Sequence, residues 1–162
     1  MQSAYRRYYS TQTGLLKYTS NIYEAFDDHQ STLLVSLDQS AAFDCVDHTM
    51  LLSFGITDSA LDWIRSYLYS RHSFVKFGQS DSAISAIEVG VPQGSSPGPM
   101  LFTLYIAPLS AIIRQFDLNH QQYADDTQVY IAVNKTNVVY KLSELEYCLS
   151  AVTCGYSITH VV

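Results

Sequence analysis

Two adjacent carboxylates, Asp125 and Asp126, lie in the segment Tyr123-Ala124-Asp125-Asp126. Residues 120–123 precede this pair, and residues 128–133 follow it with apolar side chains at every second position, which predicts a β-hairpin with the acids at its tip. Because neighbouring strand residues point to opposite faces, one acid would be a primary metal ligand and the other auxiliary. An isolated Asp-Asp pair also occurs in ordinary turns, so this chemistry requires a further acid.

Asp38 supplies that acid at the end of another predicted strand. Residues 32–37 are β-prone, mostly apolar and free of charge until Asp38. A buried strand that ends in an acid presents that acid at a sheet edge. If Asp38 and Asp125 lie at neighbouring strand ends, their oxygens can hold two Mg²⁺ ions about 4 Å apart, an arrangement that serves both oxygens of a phosphoryl transfer. The acids therefore predict nucleotidyl transfer.

A glycine-rich segment, residues 90–99, leads directly into an apolar helix predicted from Met100. Its glycines allow the backbone to come close to a ligand, and the amides at a helix N-terminus attract phosphate. The segment is not a Walker loop, because it lacks the Gly-Lys-Ser/Thr ending. A rigid turn that binds nothing remains the alternative.

The elements that would position these segments follow from hydrophobic periodicity and turn residues. The predicted order is helix, strand, two helices, hairpin, loop, helix, hairpin and helix. Helices segregated on one face of a mainly antiparallel sheet would make an α+β domain. Ser10 is the predicted N-cap of the first helix, and Ser59 with Asp62 makes a capping-box-like start for the third. Residues 41–48 turn into the second helix, which should last to about Ser53. The other predicted ranges are 10–26, 33–37, 59–70, 74–77 with 84–89, 100–113, 120–123 with 128–133, and 138–152.

The composition allows a buried core, since 48% of the 162 residues are hydrophobic and 15% are charged. This predicts one globular domain or part of a larger one. The formal net charge is -6 and the chain has only nine Lys and Arg residues. Because contacts with phosphate groups need positive charges, this composition argues mildly against tight binding of nucleic acid. Flanking segments would have to contribute part of the affinity for nucleic acid.

The sequence contains no feature that directs it to a membrane or out of the cell. Residues 1–10 do not resemble a secretory signal, and the uncharged stretch 89–113 contains all four prolines, so it is too broken to span a bilayer. The three cysteines have no Cys-x-x-Cys spacing, as expected of buried thiols in a reducing compartment. We expect an intracellular protein of the nucleus or cytoplasm.

Taken together, the three segments resemble the palm of a reverse transcriptase, most closely that of non-LTR (LINE-type) retrotransposons. Leu37-Asp38-Gln39-Ser40-Ala41-Ala42-Phe43-Asp44 with Val46-Asp47-His48 resembles the first catalytic motif of this family. Residues 90–99 resemble its Val-Pro-Gln-Gly motif, and residues 123–126 resemble its Tyr-x-Asp-Asp motif, in the expected order. The resemblance covers about residues 2–149 and implies a polymerase palm-like fold with incomplete fingers and no thumb.

The resemblance implies a two-metal nucleotidyl transfer. Asp38 and Asp125 would share two Mg²⁺ ions, for which Mn²⁺ is a possible substitute, and Asp126 would be a weaker third ligand. The 3′-hydroxyl of a DNA primer, paired to an RNA template, would attack the α-phosphate of a dNTP during retrotransposition.

The resemblance also implies substrate-binding roles. Phe43 lies where the family keeps an aromatic ring that leaves no room for a ribose 2′-hydroxyl, so the product would be DNA, although core packing is an alternative role for this ring. Gln93 and Gly94 would line the pocket of the incoming nucleotide, and Tyr123 would support the primer end. Asp47, with Asp44 and His48, is expected to cap the following helix.

Three features depart from the family pattern. The helix after His48 looks shortened by about two turns. Ser96-Pro97 replaces an apolar pair, and Pro108 interrupts a helix that normally continues, at a cost of about 3 kcal/mol. These changes affect packing beneath the expected nucleotide pocket.

We divide the chain into a remnant of the fingers and the fingers-palm helix (1–31), a reverse transcriptase palm (32–152) and a divergent C-terminal tail (153–162). Two hypotheses follow: an RNA-directed DNA polymerase palm that is active at least within a longer parent, or a truncated, catalytically inactive remnant or interaction module. Both predict intact acids, so the sequence does not separate them. Without fingers and thumb, the isolated chain is expected to be weakly active or inactive.

Overall fold

A computed structural model of the protein describes residues 2–39, 41–52, 54–156 and 160–161. These residues form a mixed α+β fold with an antiparallel main sheet, as predicted. In chain order the elements are α1 (Thr11–Asp27), β1 (Ser31–Asp38), α2 (His48–Leu52), α3 (Asp58–Leu68), β2 (Arg71–Ser73), β3 (Lys76–Phe77), β4 (Ser80–Asp81), β5 (Ser85–Ile87), α4 (Gly98–Arg114), β6 (Asn119–Tyr123), β7 (Asp126–Val133), α5 (Val138–Gly155) and β8 (His160–Val161).

The main sheet has the strand order β6-β7-β1-β8, and each neighbouring pair is antiparallel. The register of β1 and β7 runs from Ser31 opposite Val133 to Leu37 opposite Thr127. The apolar side chains predicted to share one face of β7 are all buried, which confirms the assignment; they are Val129, Ile131 and Val133.

Helix α1 begins at the predicted N-cap, Ser10. The Ser10 hydroxyl accepts a hydrogen bond from the backbone N–H of Thr13 at 3.2 Å, and the Ser10 N–H donates to the Thr13 hydroxyl at 2.9 Å, which satisfies two groups at the helix start. The helix then packs on the sheet through Tyr18, whose ring meets that of Tyr130 edge-on at 5.5 Å. Asn21 donates a hydrogen bond to the Tyr130 hydroxyl at 2.6 Å.

Helices lie on both faces of the main sheet, so the prediction that they share one face is wrong. Tyr130 belongs to the face that α1 covers. Thr127 and Gln122, which pair across β7 and β6, belong to the opposite face, where Ser110 of α4 donates a hydrogen bond to the Gln122 side chain at 2.5 Å. Periodicity identifies the apolar stripe of a helix, but it does not specify which sheet face that stripe meets. Helix α4 also continues through Pro108 to Arg114.

The chain divides into two compact units, Met1–Ser40 with Ile106–Val162, and Ala41–Tyr105. The first contains the main sheet with α1 and α5. The second contains α2, α3 and two small ribbons, in which β2 pairs with β5 and β3 pairs with β4. The predicted single hairpin at 74–77 and 84–89 is therefore two short ribbons.

In the second unit, α2 begins where the predicted capping residues place it, whereas the start of α3 differs from prediction. Residues 41–45 form turns that lead into α2, which begins at His48. Asp47 accepts hydrogen bonds from the Thr49 N–H at 2.8 Å and from the Thr49 hydroxyl at 2.7 Å. Asp47 thus has the predicted capping role, while Ser53, the predicted helix end, lies outside the described residues. Helix α3 follows Thr57 as its N-cap, so the start predicted at Ser59 is wrong.

Cys148 is buried, Cys45 is half-buried and Cys154 is exposed, so the expectation of buried thiols fails for Cys154. Burial raises the pKa of the Cys148 thiol to about 11. In the described part of the chain, every helix is too short or too polar to cross a membrane.

Candidate active site

The hairpin formed by β6 and β7 carries the paired acids at its tip, as the sequence predicted. Tyr123 pairs with Asp126, which leaves Ala124 and Asp125 as the connecting residues. Ala124 has a φ of 54°, in the left-handed region that is unfavourable for residues with a Cβ atom. The tip is therefore a tight turn that needs support from its surroundings.

Asp38 lies beside this hairpin because of the strand register. The last residue pair of β1 and β7 is Leu37 with Thr127, so Asp38 and Asp126 are the next residues on adjacent antiparallel strands. Asp38 and Asp126 are exposed, and Asp125 is half-buried. Asp38 and Asp126, 88 positions apart in sequence (126 minus 38), thus lie at the same end of the main sheet.

The three carboxylates interact electrostatically. The pKa of Asp126 is raised above its usual value, first by the partial desolvation of its carboxyl group and then by the negative charges of Asp125 and Asp38. Like charges placed close together repel, and a cation between them would remove that penalty. The arrangement therefore favours a positively charged ligand.

Asp38, Asp125 and Asp126 do not form a preassembled metal-coordination site in the described part of the structure. Among the described residues, no group of three His, Cys, Asp or Glu side chains meets the geometry of a metal site. The lack of such a group has two physical reasons. The three carboxylates repel one another, and the neighbouring residues Asp125 and Asp126 point in different directions at the hairpin tip. The donor chemistry nevertheless fits, because carboxylate oxygens are the preferred ligands of Mg²⁺.

A cavity of about 450 Å³ opens beside Asp126, between α1 and the sheet. Tyr123, Ser36, Gln121 and Gln128 contribute to its wall. Its volume is in the range of small-molecule sites. The carboxylate end of the sheet therefore has space for a group the size of a nucleoside next to it.

A buried polar network supports β6 on the opposite face. Ser110 donates to Gln122, the His120 ring is hydrogen-bonded to the Ser110 hydroxyl at 3.0 Å, and the Gln122 amide lies 3.4 Å from the Thr127 hydroxyl. Burial lowers the pKa of His120 to about 4, and nearby positive charges add to this effect. The polar run 120–122 looked like an ordinary strand in sequence, so nothing in its pattern revealed the network.

Gln39, directly after Asp38, was also missed by sequence reasoning. Its side chain is 4% exposed, and neither amide atom has a hydrogen-bond partner among the described residues. It borders a small cavity together with Asp125 and Thr127. A buried amide without a hydrogen-bond partner lowers the free energy of unfolding, so Gln39 is expected to destabilise the fold.

Within the second unit, residues 43–46, which follow Asp38 in the same motif, are hydrogen-bonded to the glycine-rich segment 90–99. The N–H of Val91 donates to the Phe43 carbonyl at 2.7 Å, and that of Gly90 donates to the Val46 carbonyl at 2.8 Å. The Phe43 ring stacks on Phe102, with ring centres 5.0 Å apart. Gly90 has a φ of +88°, and a Cβ there would lie 2.9 Å from backbone atoms of Asp44, so only glycine fits.

Gln93 and Gly94 lie at the exposed crest of this loop. Gly94 has a φ of +77°. The loop is fixed by Ser95, whose hydroxyl donates to the Pro92 carbonyl at 2.6 Å and accepts a hydrogen bond from Tyr67 at 2.6 Å. Both predicted nucleotide-pocket residues thus belong to the Ala41–Tyr105 unit, whereas the carboxylates belong to the other.

Known proteins give an independent comparison. The profile of the family described as "Reverse transcriptase (RNA-dependent DNA polymerase)" matches residues 2–158. The chain is similar to the "Probable RNA-directed DNA polymerase from transposon BS" of Drosophila melanogaster, with 32% identity over 118 residues, which cover 67% of the chain. It is 31% identical over 107 residues, 64% of the chain, to the "Probable RNA-directed DNA polymerase from transposon X-element" of the same organism. The match spans 12% of the length of each relative.

Proposed function

The chain belongs to the reverse transcriptase family, and from this premise we propose that it is the palm of an RNA-directed DNA polymerase of a non-LTR retrotransposon. The reaction is the transfer of a deoxynucleotide from a dNTP onto a primer 3′-hydroxyl. Family membership supports the nucleotidyl transferase class. The geometry of the acids supports the assignment of individual residues.

One observation carries the proposal most strongly: Asp38 and Asp126 continue the register of β1 and β7, and Asp125 lies at the adjoining hairpin tip. Asp38, Asp125 and Asp126 are the residues that would hold divalent metal. Reverse transcriptases in general use such ions, and we assign Mg²⁺, with Mn²⁺ as a substitute, because the ligands are carboxylates. Bound ions would lower the pKa of the primer hydroxyl and neutralise charge on the triphosphate.

The remaining roles fall to residues around these acids. Tyr123 supports the primer end, and the cavity that it borders with Asp126 has room for a terminal nucleotide. Phe43 selects deoxynucleotides by occupying the space of a 2′-hydroxyl; its stacking on Phe102 supports this role because a fixed ring discriminates better than a mobile one. Gln93 and Gly94 contact the incoming nucleotide, consistent with their exposed position on a tethered loop.

We assign the palm to residues 32–152, the fingers and fingers-palm helix to 1–31 and a divergent tail to 153–162. The partners are an RNA template, a DNA primer and dNTPs. The net charge of -6 indicates that most of the grip on nucleic acid comes from other parts of the parent enzyme. The much greater length of the relatives is consistent with this division.

The test is extension of a DNA primer on an RNA template by the chain at high concentration, with dNTPs and Mg²⁺ or Mn²⁺. We expect weak, metal-dependent extension that Asp125→Asn abolishes. Asp81→Asn is the matched control, because Asp81 is an exposed acid in β4, and it should leave extension unchanged. Absence of extension with either metal would instead favour an inactive remnant.

A further inference from the structure

Gln2 holds the hairpin tip through its side chain. Its amide nitrogen donates to the Ala124 carbonyl at 2.9 Å, and its amide oxygen accepts from the Ala124 N–H at 2.9 Å. The same oxygen accepts from the Ala4 N–H at 3.0 Å. Gln2 is 8% exposed, so water does not compete strongly for these bonds. One side chain thus satisfies both backbone groups of a single residue.

The residue that Gln2 holds, Ala124, has an unfavourable backbone conformation. Ala124 has a φ of 54° and directly precedes Asp125. A strained conformation persists only where the surrounding structure enforces it. Relaxation of Ala124 would redirect the following carboxylates, because they are attached to the same short turn.

The segment that carries Gln2 is itself fixed to the sheet. Gln2 forms a parallel bridge with Gln122 of β6. The Ser3 N–H donates to the Gln122 carbonyl at 2.9 Å, and the Ser3 hydroxyl accepts from the Gln121 side chain at 2.7 Å. We call the two hydrogen bonds between the Gln2 side chain and Ala124 the Gln2 clamp. Because residues 2 and 3 are fixed to β6 by backbone and side-chain bonds, the clamp can hold the hairpin tip rigidly.

We infer that Gln2 is a positioning residue that fixes the Ala124 turn and so aims Asp125 and Asp126 at a shared divalent cation. This inference rests on the proposed function. Gln2 acts through Ala124 and touches no reacting atom. Its effect should appear in metal affinity and in the local protection of Ala124, and not in the stability of the whole sheet.

Three variants separate the parts of this role. Gln2→Met keeps the length of the side chain and removes both hydrogen bonds to Ala124. Gln2→Glu keeps the acceptor for the Ala124 N–H but loses the donor to the Ala124 carbonyl. Gln79→Met is the control, because Gln79 is an exposed glutamine between β3 and β4.

The experiment combines amide hydrogen exchange by NMR with Mn²⁺ binding by electron paramagnetic resonance, both on the full chain. In Gln2→Met we expect the Ala124 amide to exchange at least about tenfold faster while that of Val129, in the middle of β7, is unchanged. The Kd for Mn²⁺ should rise about tenfold, equivalent to about 1.4 kcal/mol. Gln2→Glu should keep the protection of Ala124, and Gln79→Met should match the wild type in both measurements.

Two results would overturn the inference. Unchanged Ala124 exchange in Gln2→Met would show that the clamp does not hold the turn, and faster exchange with unchanged Mn²⁺ affinity would reduce Gln2 to a structural role. A wild-type chain that binds no Mn²⁺ would refute the proposed function and, with it, the aiming of the acids. Hydrogen exchange at Ala124 would still show in that case whether the clamp exists, so the two failures are distinguishable.

Discussion

Asp38 and Asp126 are the residues that follow the last pair, Leu37 with Thr127, in the register of β1 and β7. This relationship brings the acid of one motif to the acidic hairpin of another. It depends on a strand pairing between distant parts of the chain. The charge of Asp38 contributes to the raised pKa of Asp126, which makes the relationship measurable.

Asp38→Asn should lower the pKa of Asp126, because it removes one of the negative charges that disfavour ionisation. The measurement is an NMR titration of the Asp126 side-chain carboxyl. The control Asp81→Asn removes an exposed acid from the other unit and should leave the titration unchanged. An Asp126 pKa that does not respond to Asp38→Asn would show that the two strand ends are apart in solution.

His120 should make the fold sensitive to acid. Its pKa is lowered from 6.5 to about 4, so the unfolded chain binds a proton there more readily than the folded chain does. Stability from this group is therefore fully present above pH 6.5 and is lost as the pH falls towards 4. We expect His120→Asn to flatten the dependence of the urea midpoint on pH in this window.

The matched control for that experiment is His72→Asn, since His72 is an exposed histidine in β2. It should keep the wild-type pH dependence. If His120→Asn kept it too, another group would be responsible for the loss of stability in acid.

Gln39→Leu should stabilise the fold, because it replaces a buried amide that has no hydrogen-bond partner among the described residues. The expected gain in the free energy of unfolding is about 1–3 kcal/mol, measured by urea denaturation. Gln79→Leu changes the same residue type at an exposed position and should have little effect. A loss of stability in Gln39→Leu would mean that the amide is satisfied in solution.

Phe43→Val should relax discrimination against ribonucleotides, since a smaller side chain leaves space for a 2′-hydroxyl. The measurement is the ratio of kcat/KM for a dNTP to that for the matching rNTP in primer extension, which should fall at least about tenfold. Loss of the stack on Phe102 will also reduce stability, so the assay should be run well below the Tm. Phe74→Val, at an exposed position, is the control; an unchanged ratio in Phe43→Val would assign this ring to the core alone.

Local pattern was sufficient to predict much of the fold. The Ser10 cap, the strand before Asp38 and the hairpin around Asp125 were all predicted, because capping residues and period-two alternation act over a few positions. The order of the helices followed from the same signals, whereas the second small ribbon and β8 were not predicted. The three acids were recognised because each closes or joins a strand.

Tertiary features were not predictable in the same way. The burial of the Gln2 and Gln39 amides and the lowered pKa of His120 depend on residues distant in sequence. The capping-box pattern at Ser59 did not set the start of α3, because Thr57, with an extended backbone, occupies the N-cap position and the helix begins at Asp58. The local sequence does not specify which of two nearby candidates, Thr57 or Ser59, becomes the N-cap of α3.

The central claim is that acids from two strands share the same divalent cations. The most direct measurement is Mn²⁺ binding to the wild type, Asp38→Asn, Asp125→Asn and the double variant. We predict that each single change weakens the same binding event at least about tenfold, and that the double variant loses less than the sum of the two losses, because both residues serve one site. Unchanged Mn²⁺ affinity in Asp38→Asn would contradict the account.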